Sequence, residues 1–589
     1  MSDINATKEA ESSIIENTII EEELIQSPGR TALNNFLAKK TAIAGVVMFS
    51  LIFLLCFILP VFFPLDVNFA DSSQQHIRPG LNLMRVPGNL KNNAKIIDVG
   101  NSFGAGVDFD NNVYIWGNPT NERLLDIPQN MGNIIMLSVG LDHILVLNDQ
   151  GNVFTWGNDR HRLSPVPTEV RMSNIVFVEA GNQISIAVDD TGEIHVWGNR
   201  GFVDVIPELF EGQVREVLLM DATAFVISYE KNLYALTSRE ILIATALPQS
   251  IQGRVEAVAA TNRDVLALLT DGTVVSWGNR EYGVDNIPPE IQGRVKSISA
   301  GSWHFSASLD DDTVVTWGRN NYRQINTPNL SNIVSVHSGY YQNYAVDTAG
   351  TVHSWGFSGY LMGTDHYGRN VFRRTLEGGK ISLTIGAIGV LIASFIGILV
   401  GGISGYFLGK VDLVLMRFAE IVNSIPFLPL AIVLSYAIGH ALPEHQRLVL
   451  IMFIWGLLNW SFLARLTRAN ILDEREKDFV TAAKAMGVRE GVIIFKHILP
   501  NILPIILVQI LLSLATIMIF EASLSFLGLG ITEPGASWGN MLQGLRSTDI
   551  RYNWWRWVFP ALTLSFAVIS ISMIGDALRD AIDPKSNDR

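Results

Sequence analysis

Six short segments ending in Trp-Gly recur through the middle of the chain: VYIWGN (113–118), VFTWGN (153–158), IHVWGN (194–199), VVSWGN (274–279), VVTWGR (314–319) and VHSWGF (352–357). Between the third and fourth the spacing doubles. NLYALTS (232–238) fills that gap, with Leu236 where the others carry Trp116, Trp156, Trp197, Trp277, Trp317 and Trp355. The steps are then 40, 41, 39, 41, 40 and 38 residues, which makes seven copies. Alternating apolar and polar residues, with a turn every ten or so positions, specify short antiparallel strands, and a period of this length specifies a propeller or solenoid. About four strands per copy are expected, and seven such units fit a closed propeller with only short, protected edges. Most copies also hold a mid-unit glycine (Gly100, Gly140, Gly181, Gly301, Gly339); the fourth lacks both glycine and tryptophan, so a distorted blade is expected there. The recurring Trp is read as a core layer between blades. The turn acids Asp189, Asp190, Asp271, Asp310, Asp311 and Asp312 are read as hairpin closers rather than metal ligands, since no EF-hand-like ladder accompanies them.

Apolar segments bracket the repeat. Residues 41–63 run for 23 positions without a charge, roughly 34 Å as a helix and enough to cross a bilayer core. Forty residues precede this run and no small-residue cleavage site follows it, so an uncleaved span is expected rather than a signal peptide. After the repeat, further candidates cover 381–408, about 421–439, 448–464, 502–520 and 558–575. Composition agrees: only 17% of the 589 residues are charged, 48% are hydrophobic and the mean hydropathy is +0.26. The expected fold is therefore multidomain, a polytopic α-helical membrane protein of six transmembrane helices with an inserted all-β seven-bladed propeller. Six spans put both termini on one side. Fifteen Lys/Arg flank the spans on that side against eight on the short segments opposite, which makes it the cytoplasmic side and the propeller extracellular or periplasmic. The expected division is a largely disordered cytoplasmic tail (1–40), the first membrane helix (41–63), an outside linker (64–93) and the propeller (94–357). An outside pre-membrane segment (358–380), the membrane domain (381–577) and a cytoplasmic tail (578–589) follow.

A net charge of −13 excludes a nucleic-acid binder of the usual basic kind. The single cysteine, Cys56, excludes an internal disulfide, a Cys-rich zinc site and an iron–sulfur cluster. No Gly-x-x-x-x-Gly-Lys-Ser/Thr occurs; GYFLGKV (405–411) and EGGKIS (377–382) both lack the hydroxyl residue and the glycine spacing, so no ATP hydrolysis by this chain is expected.

Four blocks in the C-terminal part carry a resemblance. DFVTAAKAMGVREGVIIFKHILPN (478–501) holds Ala482, Ala483, Gly487, Leu499 and Pro500 in the spacing of the coupling loop of bacterial ABC-importer permeases. GTDHYGRNVFRR (363–374), with Gly363, Thr364, Asp365, Gly368 and Arg369, resembles the signature that precedes the second span in dipeptide, oligopeptide and nickel permeases of the C type. EASLSFLGLG…SWGNML (521–542) and GDALRDAIDP (575–584) resemble the last segments of the same subunits. Two positions depart: Thr481 stands where the loop usually has Glu, and Asn370 where the signature usually has Asp. The largest departure is the insert, which over residues 94–357 resembles the regulator-of-chromosome-condensation repeat, best in VKSISAGSWHFSASLDDDTVVTWGRNNY (295–322).

The resemblance implies a type I ABC importer fold and a non-enzymatic transporter subunit with no cofactor of its own. The implied partners are a homologous second permease subunit, two cytoplasmic ATPases that bind ATP and Mg, an extracellular substrate-binding protein, a peptide substrate and membrane lipid. A nickel or metal-chelate importer is an alternative within transport. A membrane-anchored surface receptor or adhesion scaffold is the alternative outside it. Small residues every fourth position in the second span (Gly389, Ala393, Gly397, Gly401, Gly405, Gly409) are expected to form a helix-packing face. Glu521, near the outer end of the fifth span, is read either as a gate or pore residue or as an interfacial carboxylate. Pro426 and Pro429 are expected to kink the third span.

Overall fold

In the computed structural model, residues 28–62, 69–119, 121–199, 214–220, 223–237, 246–439, 444–546 and 551–582 are described. The outer parts of both expected tails, 1–27 and 583–589, lie outside them. The chain separates into two compact units, Asp71–Gly368 and the remainder.

The first unit holds seven antiparallel sheets, each of three strands in sequence order. Ala94–Val99, Phe103–Asp108 and Val113–Gly117 form the first. First strands of successive blades touch in turn, and Ile333–Ser338 of the seventh touches Ala94–Val99, so the ring closes. Among the described residues, three strands per blade stand where four are expected. After Trp116, Trp156, Trp277 and Trp317 the chain passes through turns and at least one proline (Pro128, Pro165, Pro288 and Pro328 among them), and proline has no N–H to offer a ladder. The fourth blade is not distorted. Val214–Met220, Thr223–Ser228 and Leu233–Thr237 pair with the same first-strand bulge as the other six, and Leu236 is buried at the tryptophan position.

Two repeated contacts explain the repeated residues. Trp156, Trp197, Trp317 and Trp355 donate from Nε1 to the carbonyls of Leu124, Leu163, Val284 and Gln324, each in the segment that follows the preceding blade. The mid-unit glycines meet across blades: a Cβ on Gly140 would lie 2.7 Å from the Gly181 oxygen, and one on Gly301 2.4 Å from that of Gly339. The turn acids are occupied within their own hairpins and by neighbouring cations. Asp189, Asp271 and Asp311 accept from Thr191, Thr273 and Thr313, while Arg294 reaches Asp310 and Asp311, and Lys296 reaches Asp312. The Thr313 hydroxyl and then Arg294 hold the Asp311 carboxyl well below the usual carboxylate range.

The expected linker belongs in part to the propeller. From Asp71 onward it is inside the compact unit, and Gly80 and Met84 donate backbone N–H groups to Tyr360 and Ser358 at 2.8 and 2.9 Å. Met84 supplies what the first blade lacks. Its sulfur faces Gly117 as Leu124 faces Gly157, and its carbonyl accepts from the Tyr344 hydroxyl, which in turn accepts from Trp116 Nε1.

The second unit is helical. Among the described residues four helices are long and apolar enough to cross a membrane: α1 (Lys40–Phe62), α2 (Val371–Phe407), α7 (Glu490–Phe526) and α9 (Trp555–Ile582). Between them lie α3 (Gly409–Ser424), α4 (Phe427–Gly439), α5 (Glu444–Glu474), α6 (Asp478–Ala485) and α8 (Trp538–Met541). The third expected span is two helices rather than one kinked helix, parted at Ile425–Pro426 next to the proline that cannot continue a ladder. The fourth lies inside the 31-residue α5. Along α2, Gly397, Gly401 and Gly405 lie against the backbone of α5 at Trp460, Ala464 and Arg468. Gly389 meets Ile517 of α7, and Gly409 begins α3 with open space around it.

Candidate functional site

Helix α6 is only eight residues long, too short to hold itself in water, so its position comes from packing. Val480 and Ala483 are buried against Tyr406, Ile471, Ile493, Ile494 and Ile498. The opposite face is open: Ala482 and Gly487 are exposed, as are Phe479 and Met486, the latter at 75%. Of the residues singled out by pattern, Ala483 seats the helix and Ala482 faces outward. Phe479 and Met486 escaped sequence reasoning, because an exposed apolar pair flanking a small residue looks like an ordinary amphipathic turn. Leu499 and Pro500 begin the regular part of α7, after a π-helical turn over Ile493–Ile498.

Gly487 ends α6 for a backbone reason. The Val488 N–H reaches the Ala483 carbonyl and the Gly487 N–H that of Lys484, the two bonds of a Schellman cap. Gly487 takes φ +76°, with nothing within 4 Å of where a Cβ would stand. It is therefore not the close-approach residue that its small size suggests. Thr481 is exposed on the open side, so its departure from the usual Glu alters the surface and leaves the seat untouched.

Cations tie the neighbourhood of α6 together. Arg475 Nη1 donates to the Tyr406 carbonyl at 2.9 Å, and Lys484 Nζ stands 5.0 Å from the Tyr406 ring centre. Arg468 of α5 clamps Asp412 of α3 from Nε and Nη2, both at 2.6 Å, and Ser404 of α2 donates to the same carboxylate. Hydrogen bonding from Arg468, the larger cause, keeps the Asp412 carboxyl below its ordinary pKa.

The block 363–370 divides between the units. In the propeller unit, Thr364 Oγ1 donates to the Gln74 carbonyl and accepts from Ile77 N, and Asp365 accepts from Tyr367 N. Gly363 and Gly368 take φ +72° and +74°, and a Cβ on Gly368 would fall 1.8 Å from the Asp71 oxygen. These residues clasp the chain as it enters and leaves the insert. In the helical unit, Arg369 pairs with Glu533, Arg374 bonds Glu533 and the carbonyls of Pro534 and Gly535, and Asn370 caps α2 by accepting from Phe372 N and Arg373 N. Asn caps as well as Asp, so that departure costs little.

Glu521 is buried within the helical unit. It is 2% exposed, accepting from Ser382 Oγ of α2 at 2.8 Å and from Ser525 Oγ at 2.7 Å, and so locks α7 to α2. The SWGNML block follows the same logic: Ser537 and Asn540 form a capping box, and buried Trp538 donates to the Thr375 carbonyl. Within the described residues one trio, Asp189, Glu193 and His195, brings potential ligand atoms within 4.8 Å. His195 Nε2 is already hydrogen-bonded to Asp189 there, inside a hairpin.

Residues 380–588 match the family described as binding-protein-dependent transport system inner membrane component, and residues 27–82 match the N-terminal membrane domain of oligopeptide transport permease C. Residues 134–162 and 295–324 match the regulator of chromosome condensation (RCC1) repeat. A peptide permease protein of Brucella suis biovar 1 is 42% identical over 226 residues, 38% of this chain and 73% of that protein. The oligopeptide transport system permease protein OppC of Haemophilus influenzae is 41% identical over 226 residues, 38% and 70% of the two chains. The solved structure of Prp20p from Saccharomyces cerevisiae is 16% identical with a TM-score of 0.34, covering 44% of this chain and 82% of that one. With its apolar helices and four motif blocks in order, the chain belongs to the binding-protein-dependent permeases of the oligopeptide and dipeptide type, and it carries a seven-bladed propeller, two segments of which match the RCC1 repeat, inserted between its first and second membrane helices.

Proposed function

We propose that this chain is one of two membrane subunits of an ABC importer for peptides, and that α6 is the element its ATPase engages. The observation that carries this reading is the split character of α6: Val480 and Ala483 fix it inward, while Phe479, Ala482 and Met486 offer an apolar face with no partner of their own in its cluster. Exposed apolar side chains on a rigidly seated short helix suit insertion into a groove of another protein. The partners in this reading are a homologous permease, two cytoplasmic ATPases that supply ATP and Mg, and an external binding protein that selects the peptide. ATP-driven closure of the ATPases displaces α6, and the spans change from inward- to outward-open by rigid-body movement. Both termini and α6 are then cytoplasmic and the propeller is outside. A receptor or adhesion scaffold would need only one span; the clamped contacts among α2, α3 and α5 are more than an anchor uses.

Cysteines at Ala482 and Met486 are expected to cross-link to the ATPase subunit in the assembled complex. Met486→Glu should lower peptide uptake at least tenfold while leaving the amount of folded chain unchanged, since it puts a charge into an apolar contact outside the seat. Wild-type uptake by that variant, or labelling of Lys484 from outside intact cells, would overturn the reading.

The propeller is assigned the docking of the binding protein, because it occupies the delivery side of the pathway. Gly80 and Tyr360 are directly hydrogen-bonded, so residues 81–359 can be replaced by a short linker without separating the ends. The shortened chain is expected to enter the membrane normally and to lose most binding-protein association and uptake. Undiminished association would remove the docking role and leave the permease reading standing.

A further inference from the structure

Helices α2 and α3 meet without a loop, and the joint is made by the wrong kind of residue. Leu408 takes φ +56° and ψ −162°, a region of backbone space occupied almost only by glycine, and Gly409 follows at φ +59°. Leu408 is only half-buried, so burial of its side chain does little to offset the strain. Such a conformation persists only where the surroundings over-determine it. Here they do. Ser404, four residues before the joint, and Asp412, four residues after it, are bonded to each other, and Arg468 of α5 holds both oxygens of Asp412.

The strained joint is next to α6. Tyr406, two residues before Leu408, packs with Val480 and Ala483, carries Lys484 over its ring and gives its carbonyl to Arg475. Its hydroxyl is buried without a hydrogen-bond partner among the described residues, as expected of a group that is fully satisfied only in another arrangement of the same helices.

We propose that Leu408–Gly409 is a loaded hinge, held by the Ser404–Asp412–Arg468 staple, which turns displacement of α6 into a change of angle between α2 and α3. The inference rests on the coupling reading above. Leu408, Asp412 and Arg468 act as positioning residues for transport, touching neither cargo nor nucleotide. Glycine at the joint would remove the strain but also the preference for one angle, and loss of the staple would release the strain in the resting state.

The test uses the full complex with its ATPases in lipid nanodiscs. Spin labels go on Phe395→Cys (α2) and Leu413→Cys (α3), both exposed, while the native Cys56 is buried. The wild-type α2–α3 distance should shift on trapping with ATP and vanadate. Leu408→Gly should raise the thermal unfolding midpoint by several degrees yet broaden the distance distribution and abolish the shift. A residue with a merely structural role would move stability and movement together. Leu408→Ala, which keeps the strain, should behave as wild type. Asp412→Asn and Arg468→Gln should each lose the shift, and the exchanged pair Asp412→Arg with Arg468→Asp should recover part of it. A wild-type distance that ignores trapping, or a Leu408→Gly variant that keeps the shift, overturns the hinge. If the complex carrying Met486→Cys alone still cross-links to the ATPase, the coupling reading survives that failure; if it does not, the coupling reading itself has failed.

Discussion

Leucine at Gly401 should dismantle the contact between α2 and α5, whereas leucine at adjacent Gly402 should be tolerated. The two positions differ in what a side chain would meet. A Cβ at Gly401 would stand 2.3 Å from the Ala464 carbonyl oxygen and 2.8 Å from Thr467 Cβ, both on α5. At Gly402 the nearest atom is 3.8 Å away, at the end of Ile471. In lipid, burial gives two helices little reason to associate, and they hold by close backbone approach and hydrogen bonds. Forcing them apart at Gly401 also strains Gly397 and Gly405, which touch the same helix one turn to either side. Overpacking of this kind costs about 3 kcal/mol, at the upper end for buried sites, because a backbone carbonyl cannot move aside as a side chain can. Monodisperse yield and thermal unfolding in detergent read the outcome: Gly401→Leu should be aggregated or melt far below wild type, and Gly402→Leu should melt near it. Equal behaviour of the two would show that α2 and α5 do not pack along this face.

That face was legible in the sequence because every-fourth-residue spacing survives translation into three dimensions. The seven copies were legible for a similar reason, since a step of about 40 residues fixes one supersecondary unit per copy. The strand count was not, because turn prolines and alternating residues between blades look alike until the ladder shows which N–H groups are needed. Nor was the role of the segment after Asp71. Met84 completes the first blade across a sequence gap of 260 residues to Tyr344, and no local pattern announces such a contact. The surroundings of Glu521 were not legible for a physical reason: an acid in an apolar run signals either a cavity or a partner, and only the structure reveals the two serines bonded to it. At α6 the motif identified the helix, but the inward or outward direction of Ala482 and Ala483 depends on which face meets Ile493 and Ile498.

Removing the Trp317 side chain should be the most damaging single change in the propeller, and its cost should divide into a packing part and a hydrogen-bond part. Trp317 is 4% exposed, packs on Phe305 and donates to the Val284 carbonyl at 3.0 Å. Trp317→Ala should lower stability by about 3–5 kcal/mol through the cavity it leaves. Trp317→Phe keeps most of the ring contact but leaves the Val284 carbonyl, on a fully buried residue, with no donor, a loss of about 1–3 kcal/mol. The first blade supplies the comparison. Trp116 donates to the Tyr344 hydroxyl, which keeps its own bond to the Met84 carbonyl when Trp116 is changed, so Trp116→Phe strands no backbone group and should cost less than about 1 kcal/mol. Calorimetry on the full chain, following the propeller's own transition, would rank Trp317→Ala first, Trp317→Phe second and Trp116→Phe last. The reverse order of the two phenylalanine variants would mean that ring closure at the first blade, rather than the bond from each tryptophan to the preceding blade, carries the propeller's stability.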